Sequence, residues 1–420
     1  MSTAATQVLA RVWASRAALW VLIATTIANV FAYGYQVVMA RLLEPGDYAI
    51  LTALFGILIL ESIAAQVIQS ATARITAQYV ALGDEPALHV FVRRWTRRIL
   101  TFAGLPALVL VVAAPYVGGV LSLPVADVML LGLALFIAAP LTFTGGLLQG
   151  LGRFGWFGWY FIAQAITRLA IGVTLVVIGF GVTGAFIGAL SALVAGVALS
   201  VVALAPLFRS SRGATHTAEL GQGETRFFLL ASVIMLAYAA LTNIDAILAR
   251  ALLPVAEAGA YAGAITMAKV VLFAPIAVGF ILLERTARSH AKGEDTDRPL
   301  FAALGFVLVT SGAVAVAYLL APAFFTRVVV GDQYPLTPAL IGPYAVAALL
   351  NALLSLWIAH FIGRGEMRFG ILLATGVVVE LVLILVAPHD AATLVRIVLA
   401  VAAATQSAAI VTYWWERRHR

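Results

Sequence analysis

Apolar residues in this chain form long unbroken runs, and charge collects in the short stretches between them. Twelve runs are long enough to cross about 30 Å of hydrocarbon at about 1.5 Å per helical residue: 17–41, 48–71, 99–121, 125–149, 157–180, 183–207, 227–249, 259–284, 300–321, 338–362, 369–387 and 391–414. The runs are continuous rather than alternating, and an open sheet edge cannot face lipid, so the pattern predicts helices. The first run is too long for the apolar core of a signal peptide and is kept as a span. Composition agrees: 63% hydrophobic and 11% charged residues, with a mean hydropathy of +1.04, leave too little polar surface for a water-soluble globule. The predicted class is an all-α polytopic membrane protein.

Charge orients the spans. Of the 26 Lys and Arg, twenty fall in the two tails and the even-to-odd connections, and four fall on the other side: Arg41, Arg250, Arg327 and Arg396. Arg168 and Lys269 lie inside spans. The positive-inside rule then places both termini in the cytoplasm and the chain in the cytoplasmic (inner) membrane. The net charge of +7 follows from this topology, so no nucleic-acid partner is expected. Before the third span, Leu88, Phe91, Val92, Trp95 and Ile99 fall at helical spacing opposite Arg93, Arg94, Arg97 and Arg98. This pattern predicts an interfacial helix lying on anionic lipid. The longest polar link carries Gly213, Gly221 and Gly223. It sets the expected division: an N-terminal lobe 1–209, a cytoplasmic linker 210–226 and a C-terminal lobe 227–420.

The two halves repeat each other. Met39 to Ala49 (M-A-R-L-L-E-P-G-D-Y-A) recurs as Leu248 to Ala262 (L-A-R-A-L-L-P-V-A-E-A-G-A-Y-A), and Thr72-Ala73-Arg74 as Thr286-Ala287-Arg288. A shift of 209 lays Asn29, Tyr33, Gln36 and Arg41 on Tyr238, Thr242, Asp245 and Arg250, so spans one and seven each carry a polar stripe at helical spacing. An offset of 211 matches Gln149, Gly152 and Arg153 with His360, Gly363 and Arg364. With six spans each, the halves share one orientation, which predicts two parallel six-helix repeats (6+6) around a central cavity.

These turns, the G-L-L-Q-G-L-G-R-F exit of the fourth span and the 6+6 layout resemble the polysaccharide transporter, or O-antigen flippase, family of the multidrug/oligosaccharidyl-lipid/polysaccharide exporter superfamily. The resemblance covers nearly the whole chain. It implies two six-helix lobes around a cavity and alternating-access movement of an undecaprenyl-pyrophosphate-linked oligosaccharide. Polysaccharide assembly proteins are then expected partners, beside the lipid-linked oligosaccharide, membrane lipids and H⁺ or Na⁺.

A charge near a span centre costs roughly 2.5 to 3.5 kcal/mol and therefore faces a cavity or a partner. Arg168, beside Gln164 and Thr167, and Lys269, six residues before Pro275, are candidates to hold the pyrophosphate. The alternative for each is an internal ion pair with Glu61, Asp245 or Glu380. Asn29, Tyr33, Gln36, Thr242 and Gln164 are candidate cavity-lining residues. Asp245, Glu61 and Glu380 are candidates for ion coupling or charge pairing. Arg41 and Arg250 anchor helix ends or gate the cavity by pairing with Glu44 and Glu257, and His360 is expected to line the cavity.

Enzyme signals are weak. Gly150 to Gly155 fits G-x-G-x-x-G but follows a membrane helix rather than a strand, and no G-x-x-x-x-G-K-[ST] occurs. With no cysteine, no Cys-ligated metal site can form, and neither catalytic residues nor a cofactor is expected. A multidrug or small-solute antiporter of the same superfamily is the main alternative, followed by a membrane glycan polymerase or ligase.

Overall fold

A computed structural model describes residues 3–209, 222–272, 295–366 and 369–418, with positions 275, 278, 279, 282, 285, 286 and 289 between them. The described residues form helices α1 (Thr3–Leu42), α2 (Pro45–Leu82), α3 (Glu85–Val112), α4 (Ala114–Leu121), α5 (Val125–Gly150), α6 (Phe154–Leu175), α7 (Gly181–Arg209), α8 (Gln222–Leu241), α9 (Ile244–Leu252), α10 (Val255–Ala268), α11 (Asp297–Leu320), α12 (Pro322–Val329), α13 (Thr337–Gly363), α14 (Phe369–Val386) and α15 (Ala391–Arg418). Among the described residues, eleven stretches are long and apolar enough to cross a membrane, and one of them, Phe154–Phe208, is 55 residues long. It folds back at the π-helical segment Val176–Phe180, where Gly179 (φ 100°) and Gly181 (φ 52°) take conformations open to glycine, so it supplies two spans. The chain is an all-α, multi-pass membrane protein, and its described residues supply twelve spans.

The chain packs as two compact units, Met1–Met39 with Ala65–Thr225, and Ala40–Ala64 with Arg226–Arg420. The expected lobe boundary is therefore crossed: residues 40–64, placed by sequence in the N-terminal lobe, pack with the C-terminal one. Most of the expected linker, 210–221, lies outside the described residues.

The first unit is built on close helix contacts. Gly146 and Gly150 of α5 lie against the Gln69 and Ala73 carbonyls and the Thr72 and Thr76 side chains of α2. Gly188 of α7 lies on the backbone of Gly172 in α6, and the Tyr35 hydroxyl of α1 donates to the Ala185 carbonyl at 2.6 Å. Asp84 caps α3 by accepting the Ala87 N–H at 3.0 Å. The helix then runs unbroken to Val112, joining the expected interfacial helix to the third span. Its apolar face does not lie on lipid. Leu88, Phe91, Val92 and Ile99 are buried in protein, with the Phe91 ring 5.8 Å from Tyr79 and 6.2 Å from Phe143. Helices α2 and α5 cover this part of the stripe, and its fifth residue, Trp95, is exposed.

Both halves end their fourth span alike, in a different register from the sequence match. Gly152 (φ 68°) and Gly365 (φ 75°) terminate α5 and α13, and the N–H groups of Arg153 and Glu366 return to the Leu148 and Phe361 carbonyls at 2.9 Å. The two glycines are 213 positions apart, not 211. Helix termination depends on which residue can take φ > 0, and identical side chains two positions away do not report it.

Candidate functional site: a buried acid pair in a broken span

The seventh span is not continuous. It is interrupted at Thr242 and Asn243, between α8 and α9. Both side chains turn back onto their own helix: the Thr242 hydroxyl donates to the Tyr238 carbonyl at 2.9 Å, and the Asn243 amide donates to the Ala239 carbonyl at 3.0 Å. Short polar side chains that compete for backbone partners favour such breaks. Unwound backbone at membrane depth is tolerated where protein or a cavity surrounds it. Tyr238 ties the break to α13, its hydroxyl donating to the Asn351 carbonyl at 3.0 Å.

Asp245 follows at once, in the first turn of α9, and is 1% exposed. Its Oδ2 accepts two phenols, Tyr344 of α13 at 2.6 Å and Tyr261 of α10 at 2.8 Å. The two rings meet edge to face with centroids 5.4 Å apart. Asp245 Oδ1 has no hydrogen-bond partner, and neither has Oε1 of Glu380, a second carboxyl buried to 1% exposure on α14. Glu380 is near enough to interact electrostatically with Asp245 and both phenols. Among the described residues no cation pairs with either acid. Two buried carboxyl groups within electrostatic reach of each other, each with an oxygen unsatisfied, could hold a proton or a small cation. No group of three or more His, Cys, Asp and Glu suited to a metal ion occurs among the described residues.

The other predicted residues are divided between the two units. Glu61 is half-buried on α2 and is not bonded to Asp245 or Glu380. Arg168 and Lys269 fall in different units, Arg168 on α6 near the Tyr35 hydroxyl and Lys269 where α10 tightens into a 3₁₀ turn, Lys269–Leu272. The Gln164 amide donates to the Tyr160 carbonyl of its own helix at 3.0 Å. On α1, Asn29 is exposed, and Tyr33 and Gln36 are half-buried. Arg41 does not pair with Glu44. Its guanidinium caps α12, donating to the carbonyls of Val329 at 3.2 Å, Arg327 at 3.4 Å and Val328. Gln333 and Tyr334 return the bond, the Tyr334 hydroxyl reaching the Ala40 carbonyl at 2.7 Å. Arg250 does not meet Glu257 but interacts with Asp47, while Glu257 accepts the Ala391 N–H of α15 at 2.7 Å. His360 is fully buried beside Tyr413, with ring centroids 6.1 Å apart, and belongs to the core of its unit rather than to a cavity wall.

Sequence reasoning missed Tyr344 altogether and treated Tyr261 only as a marker of the repeat. The duplicated tyrosines have diverged: Tyr48 shares its hydrogen bond with Thr266, whereas Tyr261 serves Asp245.

No protein-family model and no curated protein matches the chain. Solved structures do. An inward-facing multidrug resistance MATE family transporter of the MOP superfamily superposes with a TM-score of 0.69 at 13% identity, covering 96% of this chain and 98% of that one. Lipid II flippase MurJ, in an inward closed conformation, superposes with a TM-score of 0.71 at 11% identity, covering 94% and 87%. This is the MATE and MurJ fold. Within it, the broken seventh span and the acid pair occupy the second half of the chain, and the equivalent of Asp245 in the first half is Gln36.

Proposed function

We propose that this chain is a secondary transporter of the cytoplasmic membrane, with both termini in the cytoplasm, that moves an undecaprenyl-pyrophosphate-linked oligosaccharide to the outer leaflet for surface polysaccharide assembly. The observation that carries the transport reading is the Asp245–Glu380 pair beside an interrupted span, in a chain with the MATE and MurJ fold. Binding of H⁺ or Na⁺ between the two acids would neutralise the pocket and bias one of two conformations, which supplies the driving step of alternating access. The turns shared with polysaccharide transporters support the glycan substrate. On this reading Arg168 and Lys269 hold the pyrophosphate in the substrate cavity. Asn29, Tyr33, Gln36, Gln164 and Thr242 line that cavity, Arg41 and Arg250 act at its external gate, and Glu61 is a further ion-coupling candidate. The chain carries out transport, not chemistry, and works beside the proteins that assemble the polymer.

A second reading, a multidrug or small-solute antiporter, is favoured by the MATE likeness, which extends over 96% of the chain. Deletion of the gene separates the two. Intact lipid-linked repeat units accumulating on the cytoplasmic side support the flippase, whereas loss of fluorescent-cation export from vesicles, with no such accumulation, supports the antiporter. Asp245→Asn with Glu380→Gln should abolish transport of either substrate while the protein still inserts. Full transport by that variant would remove the coupling role.

A further inference from the structure

We propose that the arginine turns of α3 bind the headgroup of an anionic phospholipid, seated in the clefts that flank this helix on the arginine-rich side of the membrane. Arg93, Arg94, Arg97 and Arg98 stand on successive turns, all exposed, and none has a carboxylate partner among the described residues. Unpaired positive charge at this density attracts phosphate, and Arg presents the planar donor fork that phosphate oxygens accept. Two clefts, of about 530 and 690 Å³, lie on either side of the ridge formed by Arg93 and Arg97, which line both. Leu207 and Phe208, at the end of α7, close the first.

The walls change character along the helix as a lipid does. Beyond the arginines, α3 exposes Phe102, Leu105 and Val109 at 75%, 67% and 58%. Arg97 to Leu105 is about 12 Å at 1.5 Å per residue, the step from headgroup to acyl chain. Arg98 stacks over Trp95 with 5.4 Å between guanidinium and ring, so an aromatic side chain stands at headgroup depth. The opposite face of the same turns is locked into the unit's core by Phe91 and Val92. The arginines are therefore fixed on a rigid rod, which lowers the ordering cost of binding. With two clefts sharing Arg93 and Arg97, a headgroup bearing two phosphates is held more tightly than one bearing a single phosphate.

The test uses the full chain purified in a neutral detergent, with the thermal-unfolding midpoint followed as lipid is added. Diphosphatidylglycerol should raise the midpoint at lower concentration than phosphatidylglycerol, while phosphatidylcholine and inorganic phosphate leave it unchanged. Arg93→Gln with Arg97→Gln should weaken the effect about 25-fold, at about fivefold for each charge removed, and Arg327→Gln on the other side should not alter it. Should the double variant fail to fold, Arg94→Gln should still lose about fivefold. An unchanged lipid response in the arginine variants, or an equal response to phosphatidylcholine or inorganic phosphate, overturns the proposal.

Discussion

Glu366, in the link after α13, is a carboxyl group outside the spans whose surroundings alter it strongly. Burial, together with a hydrogen bond shared with Glu416, pushes its carboxyl up to about 8, against the pull of the Arg364 guanidinium with which it pairs. The folded state thus keeps a proton that the unfolded chain releases near the usual carboxylate value. The stability this contributes is full below about 4.5 and is lost as pH rises through about 8. Glu366→Gln should flatten the fall of the unfolding midpoint across that window, and an unaltered slope would count against the shared proton. At the acid pair, Tyr261→Phe and Tyr344→Phe each remove a donor to one oxygen, at a cost of about 1–3 kcal/mol. Because the phenols share Asp245 Oδ2, the double variant should fall short of the sum, and strict additivity in denaturant unfolding would show that they act separately. Sequence pointed to Asp245 and Glu380 through the cost of charge at membrane depth. It could not point to Tyr344, 99 positions away, because an apolar helix gives no sign of which neutral hydroxyl turns inward.

Helix packing sets the next level. The α6–α7 hairpin depends on a glycine meeting a glycine, and a side chain at Gly188 would overlap the Gly172 backbone. Gly188→Leu should therefore cost about 1–3 kcal/mol, read as a lower unfolding midpoint, whereas Gly155→Leu, at a position with open space, should be tolerated. Span positions were legible because their runs exceed what any soluble helix needs. The amphipathic turn of α3 was legible as amphipathic, but periodicity says only that a face is apolar, and here protein rather than lipid covers it. The break at Thr242 and Asn243 passed unnoticed because two polar residues hardly lower the hydropathy of a long apolar window.

For the molecule as a whole, the charge count makes a prediction that the cysteine-free sequence renders simple to check. A single cysteine at Asp332 should react with a membrane-impermeant thiol reagent in intact cells, and one at Arg94 only after permeabilisation. The reverse pattern would invert the topology. Twelve spans and their duplication could be read in advance, but the assignment of residues 40–64 to the second unit could not, since chain order does not determine which helix ends pack together. Divergence between the copies has a stoichiometric consequence. Gln36 stands where Asp245 has its counterpart in the repeat, so one half carries the acidic well and the other has a neutral amide there. On the proposed coupling role, the cations spent per cargo molecule would be set by what that well, with any share taken by Glu61, can hold. Placing an acid at position 36 would then introduce a further well and alter that ratio without adding a helix.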